Sequence, residues 1–234
     1  MPEAAVLGAG GMLGQALRRV LPEEGVEAVF LTRAELDITN REKTGAVLED
    51  LAPAWVVNCA AYTNVDEAEG NEALATEING EAVGDLATSA MLAGARLLHV
   101  STDYVFAGDG SRPYREEDPT GPLGAYGRSK LRGEEQIRRC APEHVILRTA
   151  WLYGPGGKNF ARTILGLAKE KPELKVVDDQ RGSPTYTLDL ARAIAGVMRS
   201  RFPGGVLHAA NAGETTWFGF ARRLVEAAGL RTPV

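Results

Sequence analysis

Seven residues near the N-terminus constrain the fold more than any other part of the chain. They read Gly8-Ala9-Gly10-Gly11-Met12-Leu13-Gly14 and join a short apolar run to an amphipathic stretch. Glycine lets a strand turn sharply into a helix, and its missing Cβ lets the backbone approach a pyrophosphate closely. Unpaired N–H groups at the start of the helix favour the same anion. The turn therefore predicts a dinucleotide site built from Gly8, Gly11, Met12, Leu13 and Gly14.

The glycine spacing is G-x-x-G-x-x-G. The rival spacing G-x-G-x-x-G is broken by Leu13 when counted from Gly8, and by Met12-Leu13 when counted from Gly11. The observed spacing is typical of short-chain dehydrogenases/reductases rather than medium-chain dehydrogenases. A purely structural turn is the competing interpretation, and the position between a strand and a helix favours binding.

Strand-like and helix-like runs alternate over the first 150 residues. Such alternation predicts right-handed βαβ units and an α/β fold, a Rossmann-like doubly wound parallel sheet with helices on both faces. The predicted strands are Ala4–Gly8, Val26–Leu31, Trp55–Cys59, Leu97–Ser101 and Val145–Leu147. The predicted helices are Met12–Leu21, Asn40–Leu51 with Asn40 as N-cap, Asn71–Leu92 and Ser129–Arg139.

The alternation loosens after Thr149. Helices are predicted at Phe160–Lys169, Leu188–Met198 and Phe218–Ala228, and strands at Leu174–Val177 and Val206–Ala209. We therefore predict an NADP(H)-binding domain over 1–150 and a smaller substrate lobe over 151–234, with parts of 187–210 returning to the first domain. The chain ends at Val234 shortly after a predicted helix, so we expect this lobe to be incomplete.

Composition narrows the class of protein. The chain has 234 residues, 44% of them hydrophobic, which suits one domain with a small added lobe. A net charge of −5 argues against a broad nucleic-acid surface. We see no signal peptide and no apolar run that could span a bilayer. Two distant cysteines, Cys59 and Cys140, predict reduced thiols in the cytoplasm. The three histidines lie in or beside apolar strand-like runs, which favours structural roles over metal binding.

The end of the second predicted strand carries no acidic residue. It reads Phe30-Leu31-Thr32-Arg33, whereas an acid there would bind the ribose hydroxyls and repel a 2′-phosphate. Thr32 and Arg33 would accommodate that phosphate, so we predict NADPH, with NADH as the alternative; a solvated surface arginine is the competing interpretation. Asp37 could accept a hydrogen bond from the adenine amine with Ile38 against the ring, or it could be a turn residue.

A second motif, Tyr-x-x-x-Lys, is formed by Tyr126 and Lys130, which share one helix face. A nearby ammonium would lower the pKa of the tyrosine and make it a better acid–base group. Tyr126 would protonate a substrate carbonyl oxygen as hydride reaches the carbon, and Lys130 would also bind the nicotinamide ribose. The third group should be a hydroxyl at a strand end. Thr102 is our choice and Ser101 the rival, since strand alternation lets only one of them face the site.

These residues stand in longer blocks that resemble the dTDP-4-dehydrorhamnose reductase family, an extended type of short-chain dehydrogenase/reductase. The resemblance covers nearly the whole chain. Its most specific parts are Tyr62-Thr63-Asn64-Val65-Asp66 and Thr102-Asp103-Tyr104-Val105-Phe106. Further blocks are Leu36–Thr39, Arg148–Gly154, Asp179–Thr185 and Gly213–Trp217.

The resemblance implies NADPH-dependent reduction of the C4 keto group of dTDP-4-dehydro-β-L-rhamnose to dTDP-L-rhamnose. It implies that Thr102, Tyr126 and Lys130 are catalytic and that the Ala60–Tyr62 backbone lines the cofactor. It places Asp103, Tyr126, Trp151, Asn159 and Gln180 at the substrate, with Phe160 and Arg181 in the substrate lobe. The expected partner is the dTDP-sugar, with no nucleic acid or membrane, and the expected state is a monomer or homodimer.

Several interpretations stay open at this stage. The family is linked with Mg²⁺, but Gln15-Ala16-Leu17 offers no carboxylate, so no metal site is predicted. Trp151 is alternatively lobe core, and Asn79 either holds a kink or water near Lys130 or is a plain helix residue. Asp66 and Glu69 are expected to cap or stabilise the helix they precede.

Two other functions compete with the reductase. An epimerase or dehydratase of another nucleotide sugar is disfavoured by Thr32-Arg33 and by the lack of an extra acid–base pair beside Thr102. An NADP-binding regulatory subunit, like that of methionine adenosyltransferase, is disfavoured by the intact catalytic set.

Overall fold

The computed structural model describes residues 1–234, and ten strands and nine α-helices order the chain. The strands are β1 (Ala4–Leu7), β2 (Ala28–Leu31), β3 (Trp55–Asn58), β4 (Arg96–Thr102), β5 (His144–Thr149), β6 (Leu152–Tyr153), β7 (Arg181–Gly182), β8 (Thr185–Tyr186), β9 (Gly205–His208) and β10 (Thr215–Thr216). The α-helices are α1 (Met12–Glu23), α2 (Arg41–Leu51), α3 (Val65–Ala68), α4 (Glu72–Thr76), α5 (Ala82–Leu92), α6 (Ala125–Cys140), α7 (Phe160–Glu170), α8 (Thr187–Arg199) and α9 (Trp217–Ala227). A π-helical turn, Glu77–Glu81, joins α4 to α5, and a 3₁₀ turn, Asp103–Val105, follows β4.

Six parallel strands form the central sheet in the order β2-β1-β3-β4-β5-β9. The chain leaves β1 toward β2 on one side and later toward β3 on the other. The carboxyl ends of β1 and β3 therefore border a crevice, which is where open α/β sheets bind ligands. The predicted doubly wound parallel sheet is confirmed.

Helices cover both faces of the sheet. Successive residues of each strand point to opposite sides, so residues on both sides are buried. Ala4 and Val6 face a core that includes α1 and α8. Ala5 and Leu7 face a second core that includes residues of α2, α5 and α6. The sheet is thus fixed from both sides, and its carboxyl edge is a rigid platform for side chains.

The C-terminal part contributes to two regions. Strand β9 pairs with β5, and α8 packs on α1, so both belong to the main sheet and the core on one of its faces. Helices α7 and α9 pack on each other around a separate small core of Ile164, Ala168, Leu174, Ala221 and Val225. Two short pairs, β6 with β8 and β7 with β10, lie outside the strands that we predicted.

The structure corrects two of the predicted elements. Leu174–Val177 is not a strand: the Leu174 N–H donates to the Pro233 carbonyl, and the Val177 carbonyl accepts from Phe218. Its apolar alternation reflects burial against α7 and α9 rather than pairing with another strand. The stretch Asn71–Leu92 is helical as predicted, but the π turn interrupts it.

The N-cap Asn40 is confirmed, since its Oδ1 accepts from the Lys43 N–H at 3.0 Å. None of the helices combines the length and the apolar character needed to cross a membrane.

Candidate active site

The glycine turn brings β1 and β3 into close contact. Gly8 has a φ of +73°, and a Cβ there would lie 2.5 Å from the Ala60 nitrogen. A Cβ at Gly14 would lie 2.5 Å from the Ala9 Cα. Both positions therefore require glycine. Helix α1 begins at Met12 with no side-chain cap, so the N–H groups of its first turn stay available to an anion.

A cavity of about 310 Å³ opens at this edge of the sheet. Several predicted cofactor residues line it, namely Gly8, Arg33, Asp37, Ile38, Ala60, Ala61 and Tyr62. The lining also includes residues that we did not predict, namely Leu36, Cys59, Thr63, Asn64 and Ile78. For Leu36, Cys59, Thr63 and Asn64 the position after β2 or β3 is the signal that could have identified them, because ligands bind beyond the carboxyl ends of parallel strands. Ile78 lies in the π turn and had no such signal. Gly11, Met12, Leu13, Gly14, Thr32 and Lys130 do not line this cavity.

Two residues after β2 already have partners within the chain. The Thr32 hydroxyl and N–H both donate to Glu35 Oε2, at 2.7 and 2.8 Å, so the hydroxyl is not directed to a 2′-phosphate as predicted. Arg33 Nε donates to Asp37 Oδ2 at 2.9 Å. Asp37 Oδ1 accepts from Thr39, and this backbone hydrogen bond is the main reason that the Asp37 pKa is lowered, with a contribution from Arg33. Asp37 thus serves as a turn residue that also lines the cavity.

Asn79 holds the wall of the cavity. Its Oδ1 accepts from the Tyr62 N–H at 2.8 Å, and its Nδ2 donates to the Tyr62 carbonyl at 3.0 Å and to Ser129 Oγ at 3.0 Å. Asn79 lies in the π turn and is fully buried. The alternatives left open for Asn79 are resolved: it lies at a distortion of the helix and joins the cavity wall to α6.

The end of β4 separates the two candidate hydroxyls. Ser101 Oγ donates to Glu134 Oε1 at 2.7 Å, on the face of the sheet covered by α6. Thr102 points to the other face, where it donates to Asp103 Oδ1 at 3.0 Å and accepts from the Tyr104 N–H at 3.2 Å. This geometry leaves Ser101 occupied by a carboxylate and makes Thr102 the hydroxyl beside Tyr126.

Tyr126 carries its proton at neutral pH. Burial raises the pKa of its phenol, and the nearby Asp103 charge raises it further, while contact with Thr102 opposes the shift. Burial also raises the pKa of Asp103. We predicted that the Lys130 ammonium would lower the Tyr126 pKa, but burial and the Asp103 charge outweigh any such effect, and the pKa is raised overall. Lys130 Nζ instead lies 3.1 Å from His99 Nε2 and donates to the Val100 carbonyl at 2.7 Å.

Contacts with three other segments position α6. Glu69 Oε1 accepts from the Ala125 N–H at 2.8 Å, so Glu69 caps α6. We had predicted that it would cap or stabilise the helix that follows it in sequence, and that prediction is wrong. Gly127 lies against the Tyr104 carbonyl and Gly133 against the Asn79 carbonyl, where added Cβ atoms would come within 2.2 Å of either oxygen. The backbone of α6 therefore approaches both the turn after β4 and the π turn, which places Tyr126 and Lys130.

The predicted substrate residues fall into different environments. Trp151 has a φ of +48° and stacks on Trp217 with ring centroids 3.5 Å apart. Gln180 Oε1 accepts from Trp217 Nε1 at 3.2 Å. Asn159 caps α7 through Arg162 and donates to the Gly154 carbonyl at 2.9 Å, so its polar atoms have partners within the chain. Trp217 contacts both Trp151 and Gln180 and is the candidate in this lobe to which the sequence motifs assigned no role.

The remaining predicted lobe residues belong to the same surroundings. Phe160 packs against Trp217 with ring centroids 4.4 Å apart. Arg181 pairs with Glu214 at 3.1 Å on the surface. No group of three or more His, Cys, Asp or Glu side chains is arranged to hold a metal ion.

Comparisons with known proteins bear on this site. The model of the RmlD substrate binding domain family matches residues 3–234. The chain is 43% identical to the spore coat polysaccharide biosynthesis protein SpsK of Bacillus subtilis, over all of this chain and 82% of that protein. It is 46% identical to a dTDP-4-dehydrorhamnose reductase of Streptomyces griseus, over 92% of this chain and 73% of that one.

A solved structure gives the same result. The crystal structure of dTDP-4-dehydrorhamnose reductase from Bacillus anthracis in complex with NADP superposes with a TM-score of 0.96 at 37% identity, covering 100% of this chain and 85% of that one. The resemblance predicted from sequence motifs is thereby confirmed. Because the family model spans nearly the whole chain and the identities reach 46%, the chain belongs to the RmlD family, to which the dTDP-4-dehydrorhamnose reductases belong.

Proposed function

We propose that this protein reduces the C4 keto group of dTDP-4-dehydro-β-L-rhamnose to give dTDP-L-rhamnose, with NADPH as the reductant. The observation that carries the proposal is that Thr102 contacts Tyr126, which shares a small apolar cluster with Tyr62 of the cavity wall. Tyr62 of the cavity wall and Tyr126 pack against the same three buried alanines, Ala68, Ala75 and Ala125. The relatives named as dTDP-4-dehydrorhamnose reductases support the choice of sugar.

The residues present fit a phosphorylated dinucleotide. The Gly8 backbone and the first turn of α1 would hold the pyrophosphate, because both offer backbone without an obstructing side chain. Arg33 is the only basic residue that lines the cavity, and it would hold the 2′-phosphate of NADPH. When bound, NADPH supplies the hydride that reduces the sugar carbon.

The side chains would complete the reaction by moving one proton. Thr102 would turn its hydroxyl proton from Asp103 to the substrate carbonyl oxygen and so polarise it. Tyr126 would give its phenolic proton to the same oxygen as the carbon accepts hydride, so that a C–H and an O–H bond form while the C=O π bond is lost. The raised pKa of Tyr126 keeps the phenol protonated before the transfer. Solvent would later restore the proton to the phenolate.

The test is NADPH oxidation with dTDP-4-dehydro-L-rhamnose, together with identification of the sugar product. We expect Tyr126→Phe to lower kcat by roughly 100-fold or more, the usual contribution of a positioned general acid. Tyr114→Phe is the matched control, because Tyr114 accepts from Gly108 and Gly110 in an exposed loop and should keep most of the turnover. A Tyr126→Phe protein with near wild-type kcat would refute the role of Tyr126. Sugar conversion without net NADPH loss would indicate an epimerase or dehydratase instead.

A further inference from the structure

His99 is the buried centre of a hydrogen-bond chain that ends at Lys130. It lies in the middle of β4 with 0% exposure. Its Nδ1 is 3.0 Å from Asn58 Nδ2, and its Nε2 is 3.1 Å from Lys130 Nζ. Both ring nitrogens therefore face a nitrogen atom. Asn58 and Lys130 are themselves almost completely buried, so water does not provide other partners.

The cavity wall fixes the orientation of the Asn58 amide. The Ala60 N–H donates to Asn58 Oδ1 at 3.0 Å. With its oxygen committed to Ala60, Asn58 directs its NH₂ group to His99. Rotating the amide would place the NH₂ group against the Ala60 N–H and lose that hydrogen bond. The orientation therefore follows from the backbone of a residue that lines the proposed cofactor cavity.

This orientation decides where His99 carries its proton. Asn58 donates, so Nδ1 must accept, and the proton of the neutral ring lies on Nε2. The Nε2–H then donates to Lys130 Nζ, which can accept only as a neutral amine. Lys130 completes the chain by donating to the Val100 carbonyl. If Lys130 is an ammonium, both neighbours of the His99 ring are donors. Whichever ring nitrogen carries the proton of the neutral ring then faces another donor.

We propose that Asn58 and His99 are positioning residues, and that the chain Ala60–Asn58–His99 opposes protonation of the Lys130 amine. The Lys130 charge would then respond to a change in the wall of the cavity. The proposed consequence for turnover rests on the reductase function proposed above, whereas the hydrogen-bond chain does not depend on it.

The groups around Lys130 agree with this direction. Burial lowers the Lys130 pKa to about 8, and Glu134 on α6 and Cys59 after β3 oppose this shift. Burial raises the pKa of the Cys59 thiol to about 12, so it stays protonated, and Glu134 is paired with Arg148 of β5. Burial, followed by the Lys130 charge, lowers the His99 pKa. Neutral His99 is therefore the form that faces Lys130. Lys130 follows Tyr126 by about one turn of α6, so an ammonium there would favour the phenolate formed during turnover even though burial keeps the resting phenol protonated. Turnover should therefore fall as pH rises through the Lys130 pKa.

Asn58→Asp reverses the polarity of the chain at constant shape. One carboxylate oxygen still accepts from Ala60, and the other accepts from His99 Nδ1–H, which leaves Nε2 to accept from a Lys130 ammonium. His99→Gln is a second variant without added charge, since its amide oxygen can accept from Lys130. Asn40→Asp makes the same charge change at the exposed N-cap of α2 and is the matched control. Thermal unfolding of each variant checks that it is folded.

The readouts are the ¹⁵N signals of the His99 ring and the ¹³C titration of the Lys130 ε-carbon, neither of which needs substrate. We expect an Nε2–H tautomer in the wild type and an Nδ1–H tautomer in Asn58→Asp. We expect the Lys130 titration, and with it the alkaline limb of turnover, to move up by roughly one pH unit or more, with Asn40→Asp unchanged. A wild-type Nδ1–H tautomer would overturn the proposal, as would an unmoved Lys130 titration in both folded variants. The expected NMR result without any sugar turnover would keep the chain and reject the reductase.

Discussion

We propose that single residues at the end of β2 determine which dinucleotide the cavity favours. Arg33 is 79% exposed at its side chain and pairs with Asp37, whose side chain is 35% exposed. Such a solvated pair contributes little to stability. Arg33 is therefore free to exchange Asp37 for a phosphate without a large cost to the fold. Thr32 contributes differently, because its bonds to Glu35 shape the turn that presents Arg33.

Arg33→Ala should weaken NADPH binding and leave NADH binding almost unchanged. A hydrogen bond to a charged group contributes about 1.5–3 kcal/mol, which corresponds to a roughly 10- to 100-fold increase in the Kd for NADPH. Titration of both dinucleotides by fluorescence or calorimetry measures the difference. Arg41→Ala is the control, since Arg41 is an equally exposed arginine paired with Asp85 outside the cavity. An equal loss for NADPH and NADH would show that Arg33 does not contact the 2′-phosphate.

The helix α6 is the element on which the active site depends most. It carries Tyr126 and Lys130, its N-terminus is capped by Glu69, and Gly127 and Gly133 let its backbone approach two neighbouring turns. Alanine is a better helix former than glycine. Retaining glycine inside this helix therefore indicates that close packing outweighs helix propensity at these positions.

Gly133→Ala should destabilise the protein although alanine favours helix. The added Cβ would lie 2.2 Å from the Asn79 carbonyl oxygen, and relieving such an overlap costs roughly 1–3 kcal/mol. Gly166→Ala in α7 is the matched control, because nothing lies within 4 Å of the added atom. That control should stabilise by about 0.5–1 kcal/mol. The measurement is the free energy of unfolding in denaturant, and stabilisation by both substitutions would contradict the packing argument.

The local sequence predicted the elements better than their contacts. Hydrophobic periodicity located all six strands of the main sheet to within a few residues, because it reflects which face is buried. It failed at Leu174–Val177, where an apolar alternation is buried without pairing. It also missed the π turn around Asn79, because α5 is buried around most of its circumference, which hides the shift in the apolar pattern that one extra residue causes.

The site was predictable where one motif contains all its members, as with Gly8–Gly14 or Tyr126 and Lys130. It was not predictable where partners are distant in sequence. Asn58 and His99 are 41 residues apart, and Glu69 and Ala125 are 56 residues apart. Only the register of the sheet and the docking of α6 bring these pairs together.

At the scale of the molecule, a buried ion pair joins the catalytic edge, which is the carboxyl end of β4 together with α6, to the neighbouring strand β5. Arg148 of β5 donates to both oxygens of Glu134, at 2.9 and 2.7 Å, and Ser101 of β4 donates to the same carboxylate. Arg148 also donates to the Glu116 carbonyl in the loop after β4. Burial raises the Glu134 pKa, but the hydrogen bonds from Arg148 and Ser101 outweigh it, and the pKa is lowered overall. The pair therefore stays ionised and links two strands, α6 and the loop.

Breaking this pair from one side should cost more than removing both partners. Glu134→Leu leaves the Arg148 guanidinium buried at 3% side-chain exposure with no carboxylate, which should lower the free energy of unfolding by about 3–5 kcal/mol. In Glu134→Leu/Arg148→Met no charge is stranded, and we expect a substantial part of that loss to be recovered. The unpartnered Ser101 hydroxyl should keep recovery incomplete.

Glu72→Gln, which breaks an exposed pair with Arg128, is the control and should have a much smaller effect on the free energy of unfolding. Denaturant unfolding of the wild type, Glu134→Leu, Arg148→Met and the double variant gives the coupling energy. If the double variant were as unstable as the sum of its single variants, Glu134 and Arg148 would act independently, and the catalytic edge would depend on packing rather than on this charge pair.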